Sequence, residues 1–303
     1  MDPGETLGIV GESGSGKSMT ALSILNLVPE PGKITGGQIL FKDRDVVTMT
    51  SSELHEYRGG DVAMIFQDPM TSLNPVLRIG FQIEEAMRAH SRFDKRQAKA
   101  RVIPLLERVR IPSPKQRARD FPFQFSGGMR QRAMIAMGLA NEPALLIADE
   151  PTTALDVTVQ AQILELLKDL NRELGTAIIL ISHNVAVISS LCTRVMVMYA
   201  GRVVESGPTR QVFDHPEHPY TWSLLRSVPR VDERRHERLI SIQGMPPDLS
   251  RLPTGCTFHP RCQFKVERCL REEPPLVEVA PDQDARCWVL MSNVSKESLA
   301  VRT

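Results

Sequence analysis

The stretch Gly11-Glu12-Ser13-Gly14-Ser15-Gly16-Lys17-Ser18 constrains the chain most. It fits G-x-x-x-x-G-K-[ST], a loop that wraps phosphates. The apolar run Leu7 to Val10 ahead of it predicts a buried strand. Met19 to Leu27 behind it spaces Leu22, Leu25 and Leu27 among polar residues as a helix does. The loop is therefore expected between strand and helix, the context the motif needs. Its glycines let the backbone turn tightly and aim N–H groups inward. The helix N-terminus adds partial positive charge, so the concavity suits phosphates. In this pattern Lys17 reaches the β- and γ-phosphates and Ser18 binds Mg²⁺.

A chain of 303 residues is long enough for about two domains. With 42% hydrophobic and 24% charged residues it has the make-up of a soluble globular protein. A net charge of +1 creates no global field that would favour nucleic acid. No apolar run approaches the ~18 residues of a membrane helix. The first residues carry neither a basic segment nor an apolar one, so no secretory signal is expected, which implies the cytosol. The five cysteines are then expected as thiols or metal ligands rather than disulfides.

Along the chain, Gln38 to Lys42 reads as a strand after the Gly36-Gly37 turn. Ser51 to Tyr57 reads as a short helix capped by Ser51 or Ser52. Val62 to Phe66 reads as a strand with Gln67 at its end. Asp68 to Pro75 is expected to break regular structure, because both prolines disfavour helix before them. Ile79 to about Val109 is helical in pattern, with Pro104 kinking or starting a helix. This stretch is basic and meets few acids within itself, from Arg88 and Arg92 through Arg101, Arg110 and Arg117. A solvated face is one reading; a surface near an anionic leaflet or a partner is the other. Sequence-specific nucleic-acid binding is disfavoured, because aromatic interleaving is absent.

Ser126 is a natural cap for a buried helix from Met129 to Ala140. Ala144 to Ala148 reads as a central parallel strand ending in the carboxylates Asp149 and Glu150. Val157 to Leu170 is an amphipathic helix. Ala177 to Ile181 is a buried strand with Ser182 and His183 at its end. Val195 to Tyr199 and Arg202 to Glu205 form a closing hairpin around Ala200 and Gly201. Strands alternate with helices, so an α/β fold with a largely parallel sheet is expected, with ligands at the carboxyl ends of its strands. Gly11, Gln67, Asp149 and His183 each follow a strand end. Past Gly207, prolines such as Pro229, Pro246 and Pro274 punctuate the chain, and sparse regular structure is expected there.

In this order the phosphate loop, Gln67, Ser126-Gly127-Gly128-Met129-Arg130-Gln131-Arg132, Leu145 to Glu150, Ala154-Leu155-Asp156 and His183 resemble an ABC-transporter ATPase cassette. The Ser-Gly-Gly stretch is far more specific than the phosphate loop, which many NTPases share. Phe66 to Pro75, Asp149 to Gln162, His218-Pro219-Tyr220 and the cysteine tail resemble, more narrowly, the ATP-binding subunits of oligopeptide and dipeptide importers. The likeness covers essentially the whole chain. It implies a P-loop NTPase cassette over residues 1–207, with a helical subdomain near 69–127, followed by an extension over 208–303. Gln67, Glu150 or His183 alone would say little; their joint spacing gives each its weight.

The resemblance implies roles. Gly11, Glu12, Ser13, Gly14, Ser15, Gly16, Lys17 and Ser18 would hold ATP, with Ser18, Gln67 and Asp149 on the Mg²⁺ side. Glu150 would be the general base, His183 would bind the γ-phosphate, and Gln67 would report to the transmembrane subunits. Ser126, Gly127, Gly128 and Gln131 would cap the ATP of a facing subunit. The implied assembly is a head-to-tail pair with a second ABC ATPase subunit. It would lie under two transmembrane permease subunits, with an extracytoplasmic peptide-binding protein and no nucleic acid. The chain would be peripheral on the cytoplasmic face of the membrane. Family members also have strands and an adenine-stacking aromatic ahead of the loop, which this sequence lacks before Gly11. The expectation is a fragment, a mis-set start or reduced nucleotide affinity. Phe125 replaces the usual Leu before the signature, and Asn184 replaces the usual Asp after His183.

Cys256, Cys262, Cys269 and Cys287 are spaced C-x5-C, C-x6-C and C-x17-C. The tight pairs of a zinc ribbon are missing. Four thiolates can hold a [4Fe–4S] cluster at irregular spacing. The resemblance implies such a cluster at these four positions; zinc and free thiols are the other readings. Cys192, apart from them, reads as a small buried hydrophobe. Two other functions compete with peptide import: a soluble ABC ATPase outside transport, and a truncated regulatory cassette with weak hydrolysis. The first usually carries two cassettes or a long coiled-coil insertion, and neither occurs here.

Overall fold

The computed structural model describes residues 1–90, 92–153, 155–227 and 242–294. Ala154 and Pro229, named above, lie outside the described residues. The strands are β1 (Thr6–Val10), β2 (Leu40–Phe41), β3 (Arg44–Asp45), β4 (Val62–Ile65), β5 (Leu145–Asp149), β6 (Ala177–Ile181), β7 (Arg194–Tyr199), β8 (Arg202–Pro208), β9 (Val277–Ala280) and β10 (Gln283–Ala285). The helices are α1 (Lys17–Ile24), α2 (Ser51–Tyr57), α3 (Pro69–Ser72), α4 (Ile79–Arg88), α5 (Lys95–Arg108), α6 (Pro114–Arg117), α7 (Gly127–Leu139), α8 (Val157–Leu174), α9 (Val185–Leu191), α10 (Thr209–Asp214), α11 (Pro219–Arg226) and α12 (Glu267–Arg271). The chain divides into two compact units: Met1–Glu5 with Ser18–Leu180, and Thr6–Lys17 with Ile181–Thr303.

In the first unit β4 runs parallel to β5, from Val62 opposite Leu145 to Ile65 opposite Ala148. β6 lies on the other side of β5. These strands are near-continuous apolar runs because both faces are covered, as parallel sheets require. Ala63, Ile65, Ile147 and Ala148 are all at most 5% exposed. α8 buries Ile163, Leu166, Leu167 and Leu170, spaced i, i+3, i+4 and i+7. Each such side chain contributes about 1.5–3 kcal/mol on burial.

Several local expectations are corrected. α2 is capped by Thr50, not by Ser51 or Ser52. Thr50 accepts from the Glu53 N–H, and the Glu53 carboxylate accepts from the Thr50 N–H. That reciprocal box satisfies two otherwise orphan donors. The Asp68 to Pro75 segment is not wholly irregular. Asp68 caps Met70 N–H, and Pro69 opens the short helix α3, since a proline at the first helical position loses no hydrogen bond. Pro104 does not start a helix; it lies inside α5, whose buried Ala98, Val102, Leu105 and Leu106 hold it in place. Beyond the single strand expected up to Lys42, the chain turns back as the hairpin β2–β3. Lys42 and Asp43 both take positive φ there, as a two-residue turn of matching twist demands. The basic stretch also finds acids from distant segments. Arg92 pairs with Asp61, Arg101 with Glu142, and Arg110 with Asp169.

In the second unit β1 runs parallel to β7, from Leu7 opposite Arg194 to Val10 opposite Val197. β7 and β8 form the expected antiparallel hairpin. Ala200 and Gly201, both at positive φ, make its tight turn. Among the described residues past Gly207 regular structure is sparse, as expected, and is limited to short elements. β10 pairs antiparallel with β8 and β9 with β10, so the extension adds two strands to this sheet. Pro219 sits at the start of α11, where its missing N–H costs nothing. Cys192 is buried, as expected, and burial pushes its thiol up to about 12.

Candidate functional site

In the second unit, β1 delivers the chain into the phosphate loop. A Cβ on Gly11 would lie 2.2 Å from the Met198 carbonyl oxygen, so only glycine lets the loop leave the strand here. Gly14 and Gly16 take φ of +76° and +102°. Lys17 starts α1 and is buried; its Nζ donates to the Gly11 and Glu12 carbonyls at 2.8 and 2.9 Å. Ser15 N–H donates to the Glu12 carbonyl at 3.2 Å. The lysine thus arches over the loop that its ammonium serves. Ser182 N–H donates to the Ile9 carbonyl at 3.1 Å. That bond sets exposed His183 just past the strand that feeds the loop. Asn184 caps α9 by accepting from Ala186 N–H at 2.9 Å.

In the first unit, Gln67 and Glu150 meet beyond the ends of paired β4 and β5. Gln67 Nε2 donates to Glu150 Oε2 at 3.1 Å, and Thr153 Oγ1 donates to the same oxygen at 2.9 Å. Thr153 was not singled out from sequence, where a hydroxyl three residues on carries no motif. Glu150 holds φ +46°, a left-handed conformation costing on the order of 1–3 kcal/mol for a residue with a side chain. Such strain concentrates where a side chain must point one way. Asp149, at the end of β5, is 6% exposed.

The Ser-Gly-Gly stretch opens α7. Ser126 is exposed and accepts from Met129 N–H at 3.3 Å. Cβ atoms on Gly127 and Gly128 would lie 3.3 Å from Leu155 Cδ2 and 2.7 Å from Val159 Cγ1. The two glycines thus let α7 approach the start of α8. Gln131 is only 2% exposed, so it faces the interior rather than the surface that carries Ser126.

Cys256 and Cys269 are buried, while Cys262 and Cys287 are half-buried. Cys256 N–H donates to the Cys269 carbonyl at 2.9 Å. Burial pushes the thiols of Cys262 and Cys287 up to about 12, and the charges of neighbouring cysteines add to both shifts. Among the described residues, no group of three or more His, Cys, Asp or Glu is arranged to hold a metal ion. Among the described residues the four cysteines do not form the assembled ligand set that the resemblance implies. Arg261, between two of the cysteines, makes a bidentate pair with Glu12 of the phosphate loop. No sequence pattern announced it.

The family model "ABC transporter" matches residues 1–153, and "Oligopeptide/dipeptide transporter, C-terminal region" matches residues 204–269. The oligopeptide transport ATP-binding protein OppD of Bacillus subtilis (strain 168) is 49% identical over 297 residues, covering 98% of this chain and 83% of that one. OppD of Haemophilus influenzae (strain ATCC 51907 / DSM 11121 / KW20 / Rd) is 50% identical over 289 residues, covering 95% of this chain and 88% of the relative. Among solved structures, the dimeric post-hydrolysis ATP-binding cassette MJ0796 bound to ADP and Pi is 29% identical. It superposes with a TM-score of 0.59 over 69% of this chain and 88% of that one. CbiO1 from Clostridium perfringens, part of the transporter complex cbiONQ, is 27% identical with a TM-score of 0.62 over 71% of this chain and 81% of that one. With its phosphate loop, its Gln67–Glu150 contact and its glycine-tipped α7, the chain belongs to the ATP-binding subunits of the oligopeptide/dipeptide ABC transporter family.

Proposed function

We propose that this chain hydrolyses ATP to drive uptake of oligopeptides or dipeptides by a membrane importer. It would act as one of two cassettes that close head to tail under two transmembrane permease subunits. The observation that carries this reading is the Gln67–Glu150 hydrogen bond, with Glu150 held in a strained backbone. A carboxylate so oriented suits a general base on water. A glutamine bonded to it would register the state of that base. Phosphoryl transfer needs positioning and charge neutralisation more than covalent chemistry. The phosphate loop with Lys17 and Ser18 would hold the triphosphate and Mg²⁺. Asp149 would order the Mg²⁺ through water, and His183 would contact the γ-phosphate. Ser126, Gly127 and Gly128 would serve the nucleotide of the facing cassette, since a helix N-terminus of small residues offers a second anion site; Gln131, buried inside the helix packing, would not reach it.

Peptide as the cargo is supported by relatives whose names state oligopeptide transport and by the match over residues 204–269. A permease partner is supported by apolar side chains exposed around Gln67: Phe66 at 43%, Met70 at 57% and Val76 at 75%. No helix among the described residues is long and apolar enough to cross a membrane. As the ATPase subunit of such an importer, the chain would sit peripherally on the cytoplasmic face, with a peptide-binding protein on the far side. The cassette would span residues 1–207 and the extension 208–303.

Cys256, Cys262, Cys269 and Cys287 would hold a [4Fe–4S] cluster only by closing from the arrangement seen here; the reading is supported by their irregular four-thiol spacing and by the Cys256 N–H bond to the Cys269 carbonyl, which brings two of the segments together. When bound, such a cluster supplies a covalent cross-link among the segments that carry the thiols. Protein purified without oxygen should contain iron and absorb near ~400 nm, both lost in Cys256→Ser with Cys262→Ser. Iron-free, colourless wild-type protein would end this part of the proposal.

The catalytic reading is tested with Glu150→Gln in the presence of the partner cassette. ATP binding should persist, turnover should fall by about 10²-fold or more, and a closed dimer should accumulate. Near-normal turnover would remove Glu150 as the base.

A further inference from the structure

Glu12 is the second residue of the phosphate loop, a position the motif leaves open. The structure nevertheless grips it from three directions within the second unit. Its N–H donates to Tyr220 Oη at 2.8 Å. Its carbonyl accepts from Lys17 Nζ at 2.9 Å and from Ser15 N–H at 3.2 Å. Its carboxylate accepts the Arg261 fork, from Nη1 at 2.7 Å and from Nη2 at 3.0 Å. Two of these grips come from the extension.

Arg261 is built for this one geometry. Its side chain is 5% exposed. Nε donates to the Gln243 carbonyl at 3.0 Å, and Nη1 also reaches Tyr199 Oη at 3.4 Å. Its backbone N–H donates to the Phe258 carbonyl at 3.0 Å. Phe258 closes an aromatic cluster with Tyr199 and Tyr220, at ring-centroid separations of 5.1 and 5.4 Å. All three rings are at most 2% exposed. A planar fork on a carboxylate fixes direction as well as distance. Arg261 is shielded while the Glu12 side chain keeps 26% exposure, so salt screens the pair only in part.

We propose that Arg261, with Tyr220, is a positioning residue for the phosphate loop: the extension presets the backbone around Glu12, and so sets how tightly this cassette binds Mg-ATP. This rests on the reading that Gly11 to Ser18 hold the triphosphate. The physical cause is preorganisation. The Glu12 carbonyl shares the Lys17 ammonium, so a displaced Glu12 misplaces the ammonium that must meet the phosphates. A loop free to wander must be ordered by the nucleotide, and that ordering is subtracted from affinity.

The experiment measures Mg-ATP affinity of the full chain with a fluorescent ATP analogue, using R261Q, E12Q, the double variant, Y220F and K17A. R261Q should weaken binding about tenfold, the loss of one charge-assisted bidentate contact. E12Q should do much the same. The double variant should be no weaker than either single one, because both act through one pair. Y220F removes one hydroxyl inside an intact ring cluster and should weaken binding several-fold; it decides the matter if R261Q does not fold. Thermal unfolding of each variant provides a readout that a merely structural role would move in step with affinity. Under the proposal, affinity falls in variants whose unfolding midpoint stays near wild type.

Binding by folded R261Q and Y220F within twofold of wild type overturns the proposal. So do effects of R261Q and E12Q that multiply in the double variant. If K17A binds as wild type does, the phosphate-loop reading itself fails. If K17A loses binding while R261Q keeps it, only the positioning role fails.

Discussion

Replacing Glu205 with Gln tests how the extension is held. Glu205 lies on β8 and is 0% exposed. Oε1 accepts from Glu217 N–H at 2.7 Å and from Gln283 Nε2 at 2.8 Å; Oε2 accepts from His218 N–H at 3.0 Å. One carboxylate therefore ties β8, the entry to α11 and the start of β10. Gln has the same shape but turns one oxygen into a donor. If the amide nitrogen takes the Oε2 side, the His218 bond is lost and two N–H groups face each other. On the other side two bonds are lost, so the first rotamer wins. A lost charge-assisted bond and a buried donor without a partner cost about 1.5–3 and 1–3 kcal/mol. Against that, burial raises the Glu205 pKa, so removing the charge returns part of the cost. The net destabilisation should be about 2 kcal/mol. Ala in place of Glu205 leaves all three donors unanswered and should cost more. Amide hydrogen exchange at Glu217 and His218 reads the effect locally; about 2 kcal/mol corresponds to exchange roughly thirtyfold faster. Unchanged exchange at both amides in Glu205→Gln and Glu205→Ala would refute the role of this carboxylate.

Further predictions concern pH and the loop. His218 is fully enclosed; burial pushes its pKa from 6.5 down to about 3, and its Nδ1 accepts from Tyr220 N–H at 3.0 Å. Below pH 6.5 the unfolded chain takes up a proton that the folded one refuses. Stability is therefore lost as pH falls from about 6.5 toward about 3, by up to about 1.4 kcal/mol per unit from this group. Urea titrations of His218→Asn, which can still cap α11, should show a shallower fall; an equal slope would remove His218 as its source. Gly11→Ala sets a methyl 2.2 Å from a backbone carbonyl and should abolish Mg-ATP binding. Wild-type affinity in that variant would mean that the loop leaves β1 by another path.

How much could be read in advance varies by feature. β1, β4, β5 and β6 were legible because short apolar runs with chemistry at their ends have few other homes in an α/β fold. The loop Gly11 to Ser18 was legible between its strand and helix because a phosphate-loop motif needs glycines and lysine at fixed spacing. Caps and turns were read less well. Thr50 rather than a neighbouring Ser caps α2, and Lys42-Asp43 turns a hairpin, because such choices depend on which partner lies within reach. Regular structure in the extension is short and sparse, as its prolines suggest, but the positions of its elements were not legible: β9 and β10 complete a sheet edge and Pro219 starts a helix.

The sequence by itself determined the order of the main strands and helices and the glycine-lysine loop between β1 and α1, because local periodicity and motif spacing act over a few residues. Only the tertiary structure decided that Gln67 lies on Glu150, 83 positions away, and that Arg261 lies on Glu12, 249 positions away. Such pairs form when strands and loops far apart in the chain are brought side by side, and nothing in the spacing of one segment encodes the identity of its distant partner.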